Sequence, residues 1–163
     1  KKKSKGDTAA SPVSKENLAI AKSWLASSDE YNLLVNGTAI TAFPVYYQND
    51  LALLRQSLRI VQAGTEVAEV KGKDLIPAHG LAMSRLLKTS VFPTEALTYE
   101  QAIAYLRKEA IVLPPSVPKG YVLVTYKEIP LGFVKNIGNR ANNLYPQEWR
   151  IRSGYLPDDI RTL

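Results

Sequence analysis

The sequence predicts an α+β protein built from two small lobes. Helix-like and strand-like periodicities alternate along its 163 residues, and 45% of them are hydrophobic, enough for a packed core. The composition changes near Phe92-Pro93, where a new helix start also appears, so we place the boundary between the lobes there. We therefore expect a linker over residues 1–11, a small α/β domain over 12–93 and a second domain over 94–163.

The first lobe is expected to begin with a helix that follows a solvated, lysine-rich linker. Ser11 or Ser14 can cap this helix, which we expect to run to about Ser27. The period then changes to that of strands, and residues 31–35 and 38–43 predict a hairpin around Asn36-Gly37.

The rest of the first lobe is predicted to alternate between helix and strand. A helix over residues 50–57 is followed by two strands, over 58–61 and 65–71, which flank Ala63-Gly64. Pro77 is suited to the first turn of a short helix, which we expect to continue through Leu87.

The second lobe is expected to start with a capped helix. Thr98 and Gln101 have the spacing of a capping box, in which each side chain bonds the backbone of the other residue. The side of this helix that is predicted to be buried carries Ala102, Ile103, Leu106 and Ala110. Three prolines within residues 113–118 then exclude a helix.

A hairpin is the main feature predicted for the second lobe. Residues 121–127 and 131–137 alternate as strands, with Lys135 expected on the same face as Leu131 and Phe133. Residues 138–146 are polar and loop-like, and 149–152 are predicted to form a final short strand.

The positive charge is divided between two segments. The net charge is +6, but residues 1–15 hold five lysines against one aspartate, and residues 119–152 hold six basic residues against two glutamates. The second segment is the informative one, because its cations are interleaved with aromatic and asparagine side chains. Cations pair with phosphates, amides bond base edges, and aromatic rings stack on unpaired bases, so this pattern favours RNA binding.

The usual enzyme motifs are absent from the sequence. With no cysteine there is no thiol nucleophile and no cysteine-bound metal, and no two of the nine glycines have the spacing of a nucleotide-binding loop. The single histidine, His79, lacks a second histidine as a co-ligand, and we expect it to have a structural role. We therefore predict no catalytic residues and no metal site, and an independent hydrolase that uses His79 is disfavoured.

A set of motifs in the second lobe resembles a known family. They are Val124-Thr125-Tyr126-Lys127, Pro130-Leu131-Gly132-Phe133-Val134-Lys135, Gly138-Asn139-Arg140, Asn142-Asn143-Leu144-Tyr145-Pro146 and Glu148-Trp149-Arg150-Ile151-Arg152. In this order and spacing they resemble the C-terminal PUA-like RNA-binding domain of the RsmF-type RNA cytosine-C5 methyltransferases, of the Nol/Nop/Sun family. Residues 75–84 are similar to the segment that closes the preceding small domain in that family.

The resemblance implies an accessory part of a larger enzyme. The second lobe would be a PUA-like β-barrel with a flanking helix, and the intact enzyme would methylate ribosomal RNA with S-adenosylmethionine and two cysteines. This chain has no cysteine and no cofactor loop, so it would orient RNA for an N-terminal catalytic domain of the same polypeptide. The residues expected to contact RNA are Lys135, Arg140, Asn143 and Arg150, with Lys127, Asn142, Tyr145 and Arg152 behind them.

Two further expectations concern partners and compartment. No apolar run is long enough to cross a bilayer, so we expect no membrane partner and a cytoplasmic protein. The competing function is a protein-interaction module, in which the same aromatic and basic surface docks onto the catalytic domain or onto a ribosomal protein.

Overall fold

The computed structural model describes residues 13–154 and divides the chain into two compact units between Phe92 and Pro93. Within that described range each unit combines helices with one four-stranded sheet, so the predicted α+β class is confirmed. The predicted linker over residues 1–11 and the alternative cap Ser11 lie outside the described residues.

The first unit places three helices around a sheet of strand order β1-β2-β3-β4, in which every pair is antiparallel. Its helices and strands are α1 (Lys15–Ser23), β1 (Tyr31–Asn36), β2 (Ala39–Pro44), α2 (Gln48–Ser57), β3 (Thr65–Lys71), β4 (Asp74–Pro77) and α3 (His79–Ala82). Ser14 caps α1 by accepting a hydrogen bond from the Asn17 backbone N–H at 3.1 Å. The helix ends at Ser23, four residues before the expected Ser27.

The hairpin of β1 and β2 forms where it was predicted, with a turn shifted by one residue. Asn36 pairs with Ala39, so the two turn residues are Gly37 and Thr38. Gly37 has φ +61° at the first turn position, the pattern of a type II′ turn, which matches the twist of the two strands.

Two predictions for the first unit are wrong. Residues 58–61 are irregular rather than a strand, because β3 already pairs with β2 on one side and β4 on the other. The helix expected over residues 77–87 is reduced to α3, and Pro77 instead ends the edge strand β4. An edge strand tolerates proline because one side of its backbone needs no pairing partner.

Within the described residues, the second unit contains a sheet of strand order β5-β6-β7-β8 and one two-turn α-helix. Its elements are β5 (Thr94–Ala96), α4 (Tyr99–Leu106), β6 (Gly120–Tyr126), β7 (Ile129–Asn136) and β8 (Ala141–Asn143). Strand β5 is parallel to β6, and the other pairs are antiparallel. Beyond β8, Ala141 also bridges to Ile111, but within residues 13–154 the strands do not close into a barrel.

The hairpin of β6 and β7 is confirmed, whereas the chain after it differs from the prediction. Residues 141–143 form β8 inside the predicted loop, and residues 149–152 are not a strand. A 3₁₀ turn over Gln147–Trp149 takes the place of the strand start, so the alternation of apolar and basic residues there reflects an extended segment without a pairing strand.

Helix α4 covers the core of the second unit. The capping box is present, with Gln101 N–H donating to Thr98 Oγ1 at 3.2 Å and Thr98 N–H donating to Gln101 Oε1 at 3.0 Å. Ala102 is buried as expected, but Tyr105 is the fully buried residue of this helix, and Ala110 is exposed. Tyr105 was missed because its hydroxyl needs a buried acceptor, which only the fold supplies: the Phe133 carbonyl oxygen at 3.2 Å.

Candidate nucleic-acid interface

The strand β7 presents the predicted residue Lys135 in the middle of a polar row. In the register of the sheet Lys135 lies opposite Tyr121 of β6 and opposite Asn142 of β8. Its Nζ lies 5.4 Å from the centroid of the Tyr121 ring, a cation–π geometry. The row Tyr121–Lys135–Asn142 therefore crosses three adjacent strands and carries an aromatic ring, a cation and an exposed amide side by side.

Lys135 was predicted to share one face of its strand with Leu131 and Phe133, and the structure confirms this for Phe133 only. Phe133 lies opposite Leu123, two positions along from the Lys135–Tyr121 pair, and so shares the face of Lys135. Leu131 instead packs against the core cluster that contains Val134. The pairing jumps from Gly132 to Pro130, and this β-bulge leaves Leu131 without an opposite residue and breaks the alternation there.

Arg140 lies close to this row, and Lys127 lies far from it. Arg140 is exposed in the turn that joins β7 to β8, where its carbonyl accepts from the Ile137 N–H at 3.0 Å. Lys127 is in the turn at the opposite end of β7, where it has φ +48° and is followed by Glu128 with φ +66°. The intervening strand spans about 25 Å at ~3.3 Å per residue, so the structure separates Lys127 from Arg140 and places it near the opposite end of the hairpin from Lys135.

Asn143 is committed to holding the unit together. Its Nδ2 donates to the carbonyl oxygens of Tyr105 at 2.8 Å and Glu109 at 2.9 Å, and its Oδ1 accepts from the Tyr145 N–H at 2.8 Å. These bonds fasten β8 to the C-terminal end of α4. Of the two predicted asparagines, Asn142 is the exposed one.

Tyr145 packs on the core rather than projecting from it. Its ring makes an edge contact with the buried Tyr105 ring, with centroids 5.5 Å apart, and its hydroxyl lies 3.5 Å from the Trp149 carbonyl oxygen. Only part of this ring is exposed, so Tyr145 supports the loop on which the exposed Trp149 is carried.

Arg150 and Arg152 are brought together with a third arginine that the sequence did not single out. Both are exposed, and with Arg107 they line a cleft of about 360 Å³. Residues 151–153 are tied to the end of α4, because the Ile151 N–H donates to the Leu106 carbonyl at 2.9 Å and Arg107 Nη2 donates to the Ser153 carbonyl at 3.0 Å. No sequence pattern singles out Arg107, because its position beside Arg150 and Arg152 depends on the path of the chain after β8.

Lys108 is a second cation that the sequence did not identify, and its role is structural. It has φ +66° directly after the helix cap, where its N–H bonds the Tyr105 carbonyl at 2.9 Å and the next N–H bonds Ala104, as in a Schellman motif. Its Nζ donates to the carbonyl oxygens of Asn143, at 2.7 Å, and Tyr145. Burial lowers the pKa of Lys108, and the nearby Glu148 carboxylate opposes that effect.

The single histidine and the acidic side chains of the described residues are dispersed. Nowhere in residues 13–154 do three or more histidine, cysteine, aspartate or glutamate side chains cluster as metal ligands would. His79 is the first residue of α3 and half-buried, and burial lowers its pKa. No helix in this part of the chain has the length and hydropathy needed to span a bilayer.

Comparison with known proteins bears on the second unit most directly. Residues 92–151 match the family model described as the methyltransferase RsmF PUA domain. The matched residues include the row Tyr121–Lys135–Asn142, the turn that carries Arg140, and Arg150.

Two similar proteins extend the likeness into the first unit. The chain is 29% identical over 138 residues to the ribosomal RNA small subunit methyltransferase F of Enterobacter sp. (strain 638), covering 85% of this chain and 27% of that protein. It is 28% identical over 99 residues to the protein of the same name from Klebsiella pneumoniae (strain 342), covering 61% of this chain and 20% of that protein. The chain thus spans about a quarter of the length of these relatives, and the resemblance to the RsmF-type C-terminal region is confirmed.

Proposed function

We propose that this chain, as a region similar to the C-terminal part of RsmF-type methyltransferases, binds ribosomal RNA on behalf of a catalytic domain that it does not contain. In the intact enzyme that domain would transfer a methyl group from S-adenosylmethionine to C5 of a cytosine. The name of the two relatives, ribosomal RNA small subunit methyltransferase F, favours RNA of the small ribosomal subunit as the substrate. The role of this chain would be to add affinity and to orient the RNA.

The observation that carries this proposal is the row Tyr121–Lys135–Asn142 next to the exposed Arg140 turn. Because the three side chains come from three hydrogen-bonded strands, their spacing is fixed by the sheet before any ligand arrives. A cation held over a ring can contact a phosphate while the neighbouring amide bonds a base edge or a 2′-hydroxyl. Segment 119–152 contains six basic residues and only two glutamates, and this positive net charge favours an anionic partner.

The residues present do not fit S-adenosylmethionine. The sequence has no cysteine for attack on a cytosine ring and no pair of glycines at the spacing of a nucleotide-binding loop. We therefore assign the methyl transfer to the rest of the enzyme, and derive no chemical step from this chain.

Salt-dependent RNA binding tests the proposal. If about three phosphates are contacted, log Kd against log salt for single-stranded RNA should have a slope of about 2, and each lost contact should lower it by about 0.7. Fragments of small-subunit ribosomal RNA would be titrated into the 163-residue chain between 50 and 200 mM salt. We expect Lys135→Gln and Arg140→Gln each to weaken binding and to reduce the slope.

The matched control is Lys73→Gln, an exposed lysine in the β3–β4 turn of the first unit. It removes the same charge from a surface that the proposal does not use, so binding should stay within twofold of the unmodified chain. Equal weakening by all three variants would show that binding depends on net charge alone and not on the proposed surface. Absence of binding at 50 mM salt would refute the proposal.

The alternative function, a protein-interaction module, is favoured by one observation in the first unit. Helix α2 exposes Leu53 and Leu54, with 64% and 46% of their surface open to solvent, and Leu58 follows at 59%. Such a patch suits a protein partner better than RNA. Capture of partners from a lysate before and after nuclease treatment separates the two functions, because contacts bridged by RNA disappear after digestion.

A further inference from the structure

The arginine cleft at the end of α4 has the charge of an anion site. Arg107, Arg150 and Arg152 line it together with one carboxylate, that of Glu109, among its described lining residues. Three guanidinium groups against one carboxylate leave a positive cleft. Its volume of about 360 Å³ lies at the small end of ligand pockets, which start near roughly 300 Å³.

The walls of this arginine cleft are held by one backbone hydrogen bond and one side-chain hydrogen bond. The two bonds from Ile151 N–H and from Arg107 Nη2, at 2.9 and 3.0 Å, hold residues 151–153 against the end of α4. Arg150 and Arg152 stand on either side of the tethered Ile151. A binding group therefore meets arginines whose backbone is already positioned, which lowers the entropic cost of ordering them.

Arg107 contributes a guanidinium group to the arginine cleft, and one of its nitrogens is unpaired among the described residues. Its Nε is buried and has no hydrogen-bond partner within the part of the chain that the structure describes. A guanidinium offers five N–H donors in a planar fork that suits phosphate oxygens. One of these donors, at Nη2, bonds the Ser153 carbonyl and so fixes the plane of the guanidinium.

The partial negative charge at the end of α4 does not cancel this attraction. A helix C-terminus disfavours anions through its open carbonyl groups. Here the carbonyls of Ala104, Tyr105 and Leu106 accept from the N–H groups of Glu109, Lys108 and Ile151, each at 2.9 Å. The last turn is therefore already paired.

Trp149 provides an aromatic surface beside the arginine cleft. It directly precedes Arg150, and 60% of its surface is exposed. Its backbone is fixed at both polar groups, with its N–H bonded to the Pro146 carbonyl at 3.2 Å and its carbonyl approached by the Tyr145 hydroxyl at 3.5 Å. An exposed indole on a fixed backbone is suited to stacking on an unpaired base.

We infer that the substrate class of this surface is single-stranded RNA, with one phosphate held in the arginine cleft and a neighbouring unpaired base stacked on Trp149. This inference rests on the proposed function and deepens it. It favours single strands over duplexes because a base inside an A-form helix is already stacked on both faces, whereas an unpaired base has a face to offer. Each stacked base contributes an effect that alanine substitution can measure.

Tryptophan fluorescence tests the inference directly, since the chain has two tryptophans and Trp24 is only 7% exposed. The 163-residue chain would be titrated with an eight-nucleotide RNA, and with the same strand annealed to its complement. We expect the single strand to quench Trp149 emission and to bind at least about fivefold tighter than the duplex, the lower bound for stacking of one base. Trp149→Ala should abolish the quenching and weaken single-strand binding by about fivefold or more.

Two control variants and one variant of the arginine cleft complete this test. Trp149→Phe keeps a ring and should retain most of the affinity, so a loss with Ala and not with Phe identifies stacking. Tyr46→Ala removes the most exposed tyrosine of the first unit, 87% exposed, and should leave single-strand binding unchanged. Arg152→Gln should weaken binding of the single strand and lower its salt slope by about 0.7.

The outcomes separate this inference from the proposed function. RNA binding with equal affinity for single strand and duplex, or binding without a change in Trp149 emission, overturns the inference and leaves the proposed function standing. Absence of binding to either RNA at low salt overturns both.

Discussion

At the scale of single residues, a few backbone positions decide where the chain can turn. Gly37 and Gly64 both have left-handed φ values, +61° and +77°, a region that side chains with a β-carbon avoid. They differ in their surroundings: a Cβ on Gly37 would meet nothing within 4 Å, whereas a Cβ on Gly64 would lie 2.2 Å from the Ala42 carbonyl oxygen. A side chain at Gly37 would therefore cause backbone strain alone, whereas one at Gly64 would cause backbone strain and steric overlap.

Alanine at each of these glycines gives the first stability prediction. We expect Gly37→Ala to lower the free energy of unfolding by about 1 kcal/mol, the cost of a left-handed alanine. Gly64→Ala should cost about 3 kcal/mol or more, because overlap with the β2 backbone is added to the same strain. Urea denaturation followed by Trp24 emission measures both, and equal losses would contradict the overlap.

At the scale of elements, two side chains attach β8 and the residues after it to the end of α4. Asn143 makes three hydrogen bonds to Tyr105, Glu109 and Tyr145, and Lys108 adds two more to the carbonyls of residues 143 and 145. The exposed neighbour Asn142 lies on the same strand opposite Lys135. Adjacent asparagines on a three-residue strand thus serve different purposes.

The two asparagines are predicted to respond differently to alanine. Asn143→Ala should lower the free energy of unfolding by about 2–4 kcal/mol, since three hydrogen bonds at ~1 kcal/mol each are lost. Asn142→Ala should change it by less than about 0.5 kcal/mol, as for other exposed sites, and should instead weaken RNA binding. Thermal or urea unfolding, paired with RNA titration of both variants, checks this pattern. A destabilised Asn142→Ala or an unaffected Asn143→Ala would show that the attachment has been misassigned.

At the scale of the whole molecule, each unit contains one tryptophan, so the stability of each can be followed separately. Trp24 is buried in the first unit, and Trp149 is exposed in the second. The first unit also contains two groups whose titration should make its stability depend on pH between neutral and acid conditions, His79 and Glu66. Burial lowers the pKa of His79, whereas burial and the Glu69 carboxylate raise the pKa of Glu66.

Acid is predicted to destabilise the first unit through His79. With its folded pKa below 6.5, the folded state holds fewer protons than the unfolded state just below pH 6.5. The stabilising contribution is therefore complete above pH 6.5 and is lost as the pH falls through the folded pKa. Urea unfolding of a Trp149→Phe chain, followed by Trp24 emission from pH 7.5 to 5, should show this loss.

Two variants make the pH test specific. His79→Gln should flatten the slope below pH 6.5, and an unchanged slope would exclude His79 as its source. Glu66 changes stability with pH in the opposite direction. Because its pKa in the folded state is raised above 4.5, the folded state binds more protons than the unfolded state, and the free energy of unfolding falls as the pH rises through this range. Glu66→Gln removes that opposing effect.

The candidate site was predictable in residue type but not in arrangement. The sequence identified Lys135, Arg140, Arg150 and Arg152 because cations interleaved with aromatic residues are visible in one dimension. It did not distinguish Asn142 from Asn143, since both are asparagines and only the packing of β8 on α4 gives them different partners. Lys127 had the expected residue type, but the length of β7 places it at the far end of the hairpin.

By itself, the sequence determined the α+β class, the capped start of α4, the β6–β7 hairpin and the absence of cysteine chemistry. These depend on local signals: side-chain periodicity, a cap residue three positions from its partner, and residue counts. The tertiary structure alone decided the row Tyr121–Lys135–Asn142 and the gathering of Arg107 with Arg150 and Arg152. Strand register and the return of the chain onto α4 bring together residues far apart in sequence, and no local pattern encodes such contacts.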